Sequence, residues 1–212
     1  MAKHGAFFCL EGMDGSGKST QMNLLSEELG RRGIPVVRIR EPGGTEISEK
    51  IRNLILSPIH GKMAPLTELL LYNAARAQLL HEVVVPALDA GKIVLADRFA
   101  WSTIAYQGYG RQLDFSTIQS LCDIAVGETW PDHTFVLDIP VEVFRTRRAN
   151  DGREVDRIEQ EETAFFARVR SGYQTIAERA PERVTLLDGT RSPMVIQKDI
   201  ADKVFALLDS HS

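Results

Sequence analysis

The stretch EGMDGSGKST, residues 11–20, decides how the rest of this sequence is read. From Gly12 to Ser19 it has the spacing Gly-x-x-x-x-Gly-Lys-Ser, a phosphate-binding signature. Glycines let such a loop turn its backbone N–H groups inward around phosphate oxygens, often at positive φ. A helix opening near Lys18 adds the positive end of its dipole. Lys18 is expected to reach the β- and γ-phosphates of a nucleotide, and Ser19 to place its hydroxyl on Mg²⁺. Gly12, Met13, Asp14, Gly15, Ser16, Gly17 and Thr20 make up the rest of the loop expected to wrap ATP. A chance glycine-rich turn would not need an apolar run on one side and a helical pattern on the other, and both flanks are present. One residue does not fit: Asp14 puts a carboxylate into a loop built for anions.

Outward from the loop, short apolar runs alternate with longer helical patterns. That alternation implies an α/β fold with a parallel sheet. The strands are expected at 6–11, 36–40, 93–97, 134–138 and 184–187. They read as continuous apolar runs, as strands covered on both faces do. Helices of period 3.6 are expected over 18–32, 159–178 and 194–208, with stripes such as Met22, Leu25, Leu29 and Phe166, Val169, Tyr173, Ile176. These stripes are core packing. Pro65 suits the first turn of a long helical segment, and Pro86 is expected to kink or end it.

At 212 residues, with 43% apolar and 25% charged residues, the chain reads as one globular domain. A net charge of −4 argues against non-specific nucleic-acid binding. No apolar run reaches membrane-spanning or signal-peptide length, so the expected location is the cytoplasm, with no membrane partner. Cys9 and Cys122 each sit in apolar stretches and read as core residues, and none of the five histidines has metal-ligand spacing.

The loop alone does not name the reaction. A GTPase would carry a guanine-reading Asn-Lys-x-Asp, which is absent from the sequence. The third expected strand ends in Asp97-Arg98, an acid followed by an arginine rather than by a second acid. Asp97 is placed to orient Mg²⁺ or its water. Arg98 points into the crevice where open α/β sheets bind ligands. A cation there implies a second anionic ligand, although a salt-bridged surface arginine would look the same in sequence. Arg40 and the Pro-Gly-Gly turn that follows it form another anion-friendly edge. Tyr72 and Arg76 share one helical face, which suits a base both stacked and hydrogen-bonded. Ser102, Thr103, Tyr106 and Gln107 follow closely behind Arg98.

Taken in order, these segments resemble bacterial thymidylate kinases: the loop 11–20, Arg-Glu-Pro-Gly-Gly-Thr at 40–45, Ala-Ala-Arg-x-Gln at 74–78, Asp-Arg-x-x-x-Ser-Thr-x-Ala-Tyr-Gln-Gly at 97–108, and Asp-Arg-Ile-Glu-Gln at 156–160. The resemblance spans about residues 5–190. It implies a P-loop three-layer sandwich with strand order 2-3-1-4-5. It also implies transfer of the γ-phosphoryl group of ATP to dTMP with Mg²⁺, on the route to dTTP, by a homodimer. By motif, Arg98 would hold the dTMP phosphate with help from 40–44, Tyr72 would stack on thymine, and Arg76 would bond the base edge. Ser102, Thr103 and Gln107 would line the base and sugar pocket. Tyr106 would either crowd the 2′ position or simply pack. Asp14 would accept a hydrogen bond from the sugar 3′-hydroxyl, or else stiffen the loop as an Asx turn.

Phosphoryl transfer needs a cation near the transferring group. Some relatives place an arginine directly after the loop acid; this chain has Gly15. The segment 145–157 holds five arginines and three acids, which is a solvated charge run or a lid. The lid reading makes Arg153 the first choice for the catalytic cation, with Arg147 or Arg148 as alternates. Adenine is expected between the base of the lid and the loop 188–191, including Arg191, by fold analogy. The rival readings are a kinase with another acceptor, such as a deoxynucleoside, and a non-catalytic nucleotide-binding module.

Overall fold

The computed structural model describes residues 5–150, 152 and 154–210. Among these residues five strands form one parallel sheet: β1 (Phe7–Glu11), β2 (Val36–Arg40), β3 (Ile93–Asp97), β4 (His133–Asp138) and β5 (Val184–Asp188). Their order is β2-β3-β1-β4-β5, the order the family resemblance implied. Each strand begins and ends within a residue of its expected limits. Two-sided burial holds for β1, β3 and β4 but not for the outer strands. In β2, Arg38 and Arg40 are exposed, because an edge strand has a neighbour on one side only.

The helices are α1 (Lys18–Arg31), α2 (Glu46–Leu56), α3 (Pro65–Leu79), α4 (Val85–Asp89), α5 (Ala100–Thr103), α6 (Phe115–Val126), α7 (Val141–Ala149), α8 (Thr163–Arg179) and α9 (Pro193–Ser210). Side chains alternate across a strand, so β1 feeds two cores. Phe8 and Leu10 pack with Met22, Leu25 and Leu29 of α1 and with Ile196, Ile200 and Val204 of α9. Phe7 and Cys9 face the opposite side with Leu79, Val94 and Phe99. Phe166, Val169, Tyr173 and Ile176 of α8 cover Val136 together with Cys122 of α6. Both cysteines are buried, and burial pushes the Cys9 thiol well above its ordinary pKa.

Pro65 opens α3 as expected, and Pro86, expected to kink or end the segment, leaves it irregular without ending it. A wide π turn over Leu80–Val84 precedes Pro86, with the N–H of Val85 bonded to the carbonyl of Leu80, and α4 continues to Asp89. Proline lacks an N–H and crowds the carbonyl four residues back, so the wider turn absorbs the mismatch. One helix boundary differs from expectation: α8 starts at Thr163, not 159. The Asp156 carboxylate takes the N–H groups of Ile158 and Glu159 at 2.8 Å each, which holds this stretch in a turn.

His133 begins β4 fully buried, with Nε2 2.7 Å from the Thr185 hydroxyl. Burial, reinforced by Lys203, pushes its pKa from 6.5 down to about 4. The unfolded chain therefore binds more protons between those values, so stability is full above pH 6.5 and is lost as pH falls towards 4. Between pH 7 and pH 5, urea unfolding is expected to show the parent losing on the order of 1–2 kcal/mol more stability than His133→Gln, which isolates His133 from the opposite contribution of other buried groups. An equal acid loss in that variant would refute the assignment.

Candidate active site

The loop after β1 takes the form its glycines predict. Gly12 and Gly17 adopt φ of 128° and 104°. A Cβ on Gly12 would stand 2.5 Å from the Leu137 carbonyl oxygen, so no other residue fits there. Lys18 is 6% exposed and lies folded across the loop, its Nζ donating to the Gly12 and Met13 carbonyls at 3.1 Å each. Burial and then the Arg98 charge lower its pKa, while Asp97 and Asp14 oppose that drop. A phosphate group would offer Lys18 stronger acceptors than these neutral carbonyls.

An open cleft of about 960 Å³ runs along the loop. Ser19 and Asp97 line it, with the Asp97 carboxylate 4.0 Å from the Lys18 Nζ. Among the described residues no cluster of three or more His, Cys, Asp or Glu side chains exists that would hold a metal by itself. One hydroxyl and one carboxylate beside a phosphate loop suit Mg²⁺, which binds few protein oxygens and keeps water and substrate phosphates as its other ligands.

A second pocket of about 610 Å³ adjoins the cleft. Asp14, Tyr72, Arg76, Arg98, Ser102, Thr103, Tyr106 and Gln107 all line it. Arg40 does not. It lines the loop cleft instead, exposed and paired with Glu49 at 2.8 Å. Tyr72 and Arg76 reach the pocket from one face of α3. Ser102 and Thr103 come from α5, and Tyr106 and Gln107 from a π turn over Ile104–Gly110. Such wide turns recur at functional sites because they re-aim side chains.

Arg98 lines both spaces. Its backbone has φ 71°, a left-handed conformation that costs a residue other than glycine on the order of 1–3 kcal/mol. Its N–H bonds to the Leu10 carbonyl at 2.9 Å, and the next N–H, of Phe99, bonds to the Glu11 carboxylate at 2.8 Å. The guanidinium then sits 3.1 Å from Asp14, 3.2 Å from the Tyr106 hydroxyl and 3.4 Å from the Tyr173 hydroxyl. Burial works against its charge, but Tyr106 and Asp14 more than compensate and hold it protonated. Asp14 and Arg98 thus offset one another's charge at the boundary between the loop and the pocket. Tyr106 is a packed aromatic, edge-on to Phe165 and Tyr173, and its hydroxyl end reaches the pocket.

Several residues of the site are given no role in the sequence reading. Glu41 is fully buried and binds Arg76 in a two-pronged pair, at 2.8–3.2 Å. Burial pushes Glu41 up to about 7, against the pull of Arg76. Glu11, buried at the end of β1, collects the Phe99 and Ser102 N–H groups and the Ser102 and Tyr173 hydroxyls. Glu68 lies buried behind Gln107. Arg52 lines both spaces and donates to the Pro42 carbonyl at 2.9 Å. Glu41 stands inside a motif already singled out. Arg52 is one arginine on an amphipathic helix, which nothing local distinguishes.

The arginine-rich segment divides rather than acting as one lid. Arg145 packs over Phe144 and Phe166 and bonds the Glu161 carbonyl. Arg157 is buried against Glu68 and the Ile55 carbonyl. Arg148 pairs with Glu159 at 2.9 Å. Arg147 is exposed and lies over the loop, donating to the Gly15 carbonyl at 2.7 Å. A Cβ on Gly15 would approach the Cβ of Arg147 to 3.2 Å. Arg153, the first expectation for the catalytic cation, lies outside the described residues. The loop 188–191 does reach the phosphate loop, since a Cβ on Gly189 would stand 3.2 Å from the Ser16 carbonyl oxygen. Arg191 itself turns onto α9 and pairs with Asp199 at 2.7 Å.

Known proteins are similar to this chain along nearly its whole length. Residues 10–200 match the family model described as thymidylate kinase. A thymidylate kinase of Pelotomaculum thermopropionicum is 46% identical, covering 97% of this chain and 95% of its own length. One from Pseudomonas putida is 49% identical, covering 92% and 93%. The crystal structure of thymidylate kinase from Ehrlichia chaffeensis superposes with a TM-score of 0.76 at 34% identity, covering 95% of this chain and 98% of that one. The chain belongs to the thymidylate kinase family.

Proposed function

We propose that the loop cleft and the adjoining pocket are the two halves of one phosphoryl-transfer site. The chain transfers the γ-phosphoryl group of ATP to dTMP, giving dTDP and ADP, as its family membership and its close relatives support. The observation that carries the division of labour is Arg98, strained in backbone, paired with Asp14 and facing both spaces. ATP lies along Gly12–Thr20 with Lys18 on its terminal phosphates. dTMP enters the pocket with its phosphate on Arg98, so donor and acceptor phosphates meet over one cation.

Tyr72 stacks on the base and Arg76 bonds its edge. Asp14 accepts from the sugar 3′-hydroxyl, with Arg98 offsetting its charge. Ser102, Thr103 and Gln107 shape the base and sugar pocket, and Tyr106 crowds the 2′ side. Arg40 acts on the phosphate side with Arg52, consistent with its place in the loop cleft. Ser19 and Asp97 would hold Mg²⁺ brought in with ATP, directly or through water, and that ion supplies charge neutralisation on the phosphates. The protein adds positioning and further cations, because little covalent chemistry is left for side chains to do.

For the cation at the transferring group, Arg147 over Gly15 and Arg153 are the leading residues, and Arg148 is tied to Glu159. The loop 188–191 borders the adenine end, where Arg191 acts once released from Asp199. On α2 and α3, which pack together, Ile47, Leu54, Leu66 and Leu70 are each about half exposed. We assign this apolar surface to a homodimer contact. No helix among the described residues is long and apolar enough to cross a membrane; a cytoplasmic location is part of the proposal.

Coupled assay of ADP is the direct test. ADP formation is expected to require both ATP and dTMP, with thymidine inert as acceptor. Turnover of thymidine without dTMP turnover, or ADP release without an acceptor, would overturn the reading. A cationic finger in such chemistry is worth roughly 10³–10⁵ in rate, or about 4–7 kcal/mol. Arg147→Ala and Arg153→Ala are therefore expected to lower kcat far more than they raise KM for dTMP; full kcat in both would move the finger to Arg148, and full kcat in Arg148→Ala as well would remove it from this segment. Sedimentation equilibrium is expected to give twice the chain mass, and Leu66→Arg with Leu70→Arg to give a monomer. A monomeric parent protein would rule the contact out.

A further inference from the structure

Two polar groups that line the pocket have their hydrogen-bond sense set from behind. Arg76 can only donate. It spends Nε and Nη2 on Glu41 and Thr103, and one Nη1 hydrogen on Asn73. The other Nη1 hydrogen remains, on a residue that lines the pocket. Gln107 is different, because a carboxamide both donates and accepts and its chemistry alone does not choose.

The choice is made by Glu68. It is fully buried, and Gln107 Nε2 donates to its Oε1 at 2.7 Å. Arg111 donates to both its oxygens at 3.1 Å, and Arg157 to Oε2 at 2.6 Å. Burial favours the protonated acid, but the hydrogen bonds of Arg111 and Gln107 and the Arg157 charge outweigh it and hold the pKa below the ordinary range. An ionised carboxylate only accepts, so the amide NH₂ of Gln107 must face it. The Gln107 Oε1 is left over, with no hydrogen bond among the described residues.

We propose that Glu68 is a positioning residue that holds the Gln107 carbonyl oxygen towards the base, and so makes the pocket choose 4-oxo over 4-amino pyrimidines. The inference rests on the pocket being the dTMP site. Against a thymine or uracil edge, the Arg76 N–H meets a carbonyl and the Gln107 oxygen meets the neighbouring ring N–H. Against a cytosine-type edge both contacts oppose like with like: donor to donor, and lone pair to lone pair. A site that pairs polar groups in this way rejects mismatched ligands much more strongly than an apolar pocket rejects a change of size. Glu68 does so without touching the nucleotide, since it is absent from the pocket wall.

The test compares dTMP with 5-methyl-dCMP, which keeps the methyl group and ring shape of dTMP and inverts its edge. The parent enzyme is expected to prefer dTMP by about a hundredfold or more in kcat/KM. Glu68→Gln lets the Gln107 amide turn over, and the preference is expected to fall about tenfold, through KM rather than kcat. Glu68→Asp retains the charge for Arg111 and Arg157 while withdrawing from Gln107, so it serves if the first variant does not fold. A purely structural Glu68 would lower activity towards both nucleotides alike. An unchanged preference in a folded Glu68 variant overturns the proposal. If Gln107→Met leaves both the preference and the KM for dTMP unchanged, it is the assignment of the pocket to dTMP that fails.

Discussion

Glu11 closes the C-terminal end of the central strand, and the rest of the site hangs on what its buried carboxylate accepts. It takes the N–H groups of Phe99 and Ser102 and the hydroxyls of Ser102 and Tyr173. Those bonds pin the chain immediately after β3 against the chain that becomes the phosphate loop. Arg98 lies between, forced into a left-handed backbone. Hydrogen bonds to a charged group contribute about 1.5–3 kcal/mol each, and the strained backbone costs on the order of 1–3 kcal/mol. Several such bonds outweigh one strained residue, so Arg98 stays where a relaxed chain would not leave it.

That placement lets a single guanidinium face two ligand spaces. The parallel sheet opens both at the C-terminal ends of its strands, as open α/β sheets do. β1 delivers Asp14 from its loop, and β3 delivers Asp97 and Arg98. Charge is balanced locally: Asp14 against Arg98, Glu41 against Arg76, Glu68 against Arg111 and Arg157. For the buried pairs, Glu41–Arg76 and Glu68–Arg157, removing one member typically costs about 3–5 kcal/mol, because the partner is left buried and unpaired; Asp14–Arg98 is partly exposed and contributes less. These pairs therefore hold the pocket's shape before any nucleotide arrives, which reduces the reorganisation that transfer would otherwise require.

Much of this was legible in the sequence for physical reasons. A buried parallel strand reads as an apolar run, so β1, β3 and β4 announce themselves, and the loop spacing is dictated by phosphate geometry. Tyr72 and Arg76 could be paired because helical periodicity is local. What stayed hidden is long-range. Glu11, Glu41 and Glu68 meet their arginines, amides and hydroxyls only in the folded chain, across separations no window in the sequence spans. The segment 145–157 misled in a different way. Its arginines look alike in sequence, yet Arg145 and Arg157 are packing and pairing residues while Arg147 lies over the loop. Pro86 was read by the ordinary rule for α-helices, and a π turn lets the segment continue past it.

The central claim is that two nucleotides bind in spaces that meet at Arg98, close enough to exchange a phosphoryl group. Isothermal titration with adenosine and thymidine joined through their 5′ oxygens by a polyphosphate chain tests it most directly. Both ends are predicted to engage at once, so the linked compound binds at least about a hundredfold more tightly than ATP or dTMP alone and is displaced by either. Binding no tighter than one nucleotide, with displacement by only that nucleotide, would contradict the account.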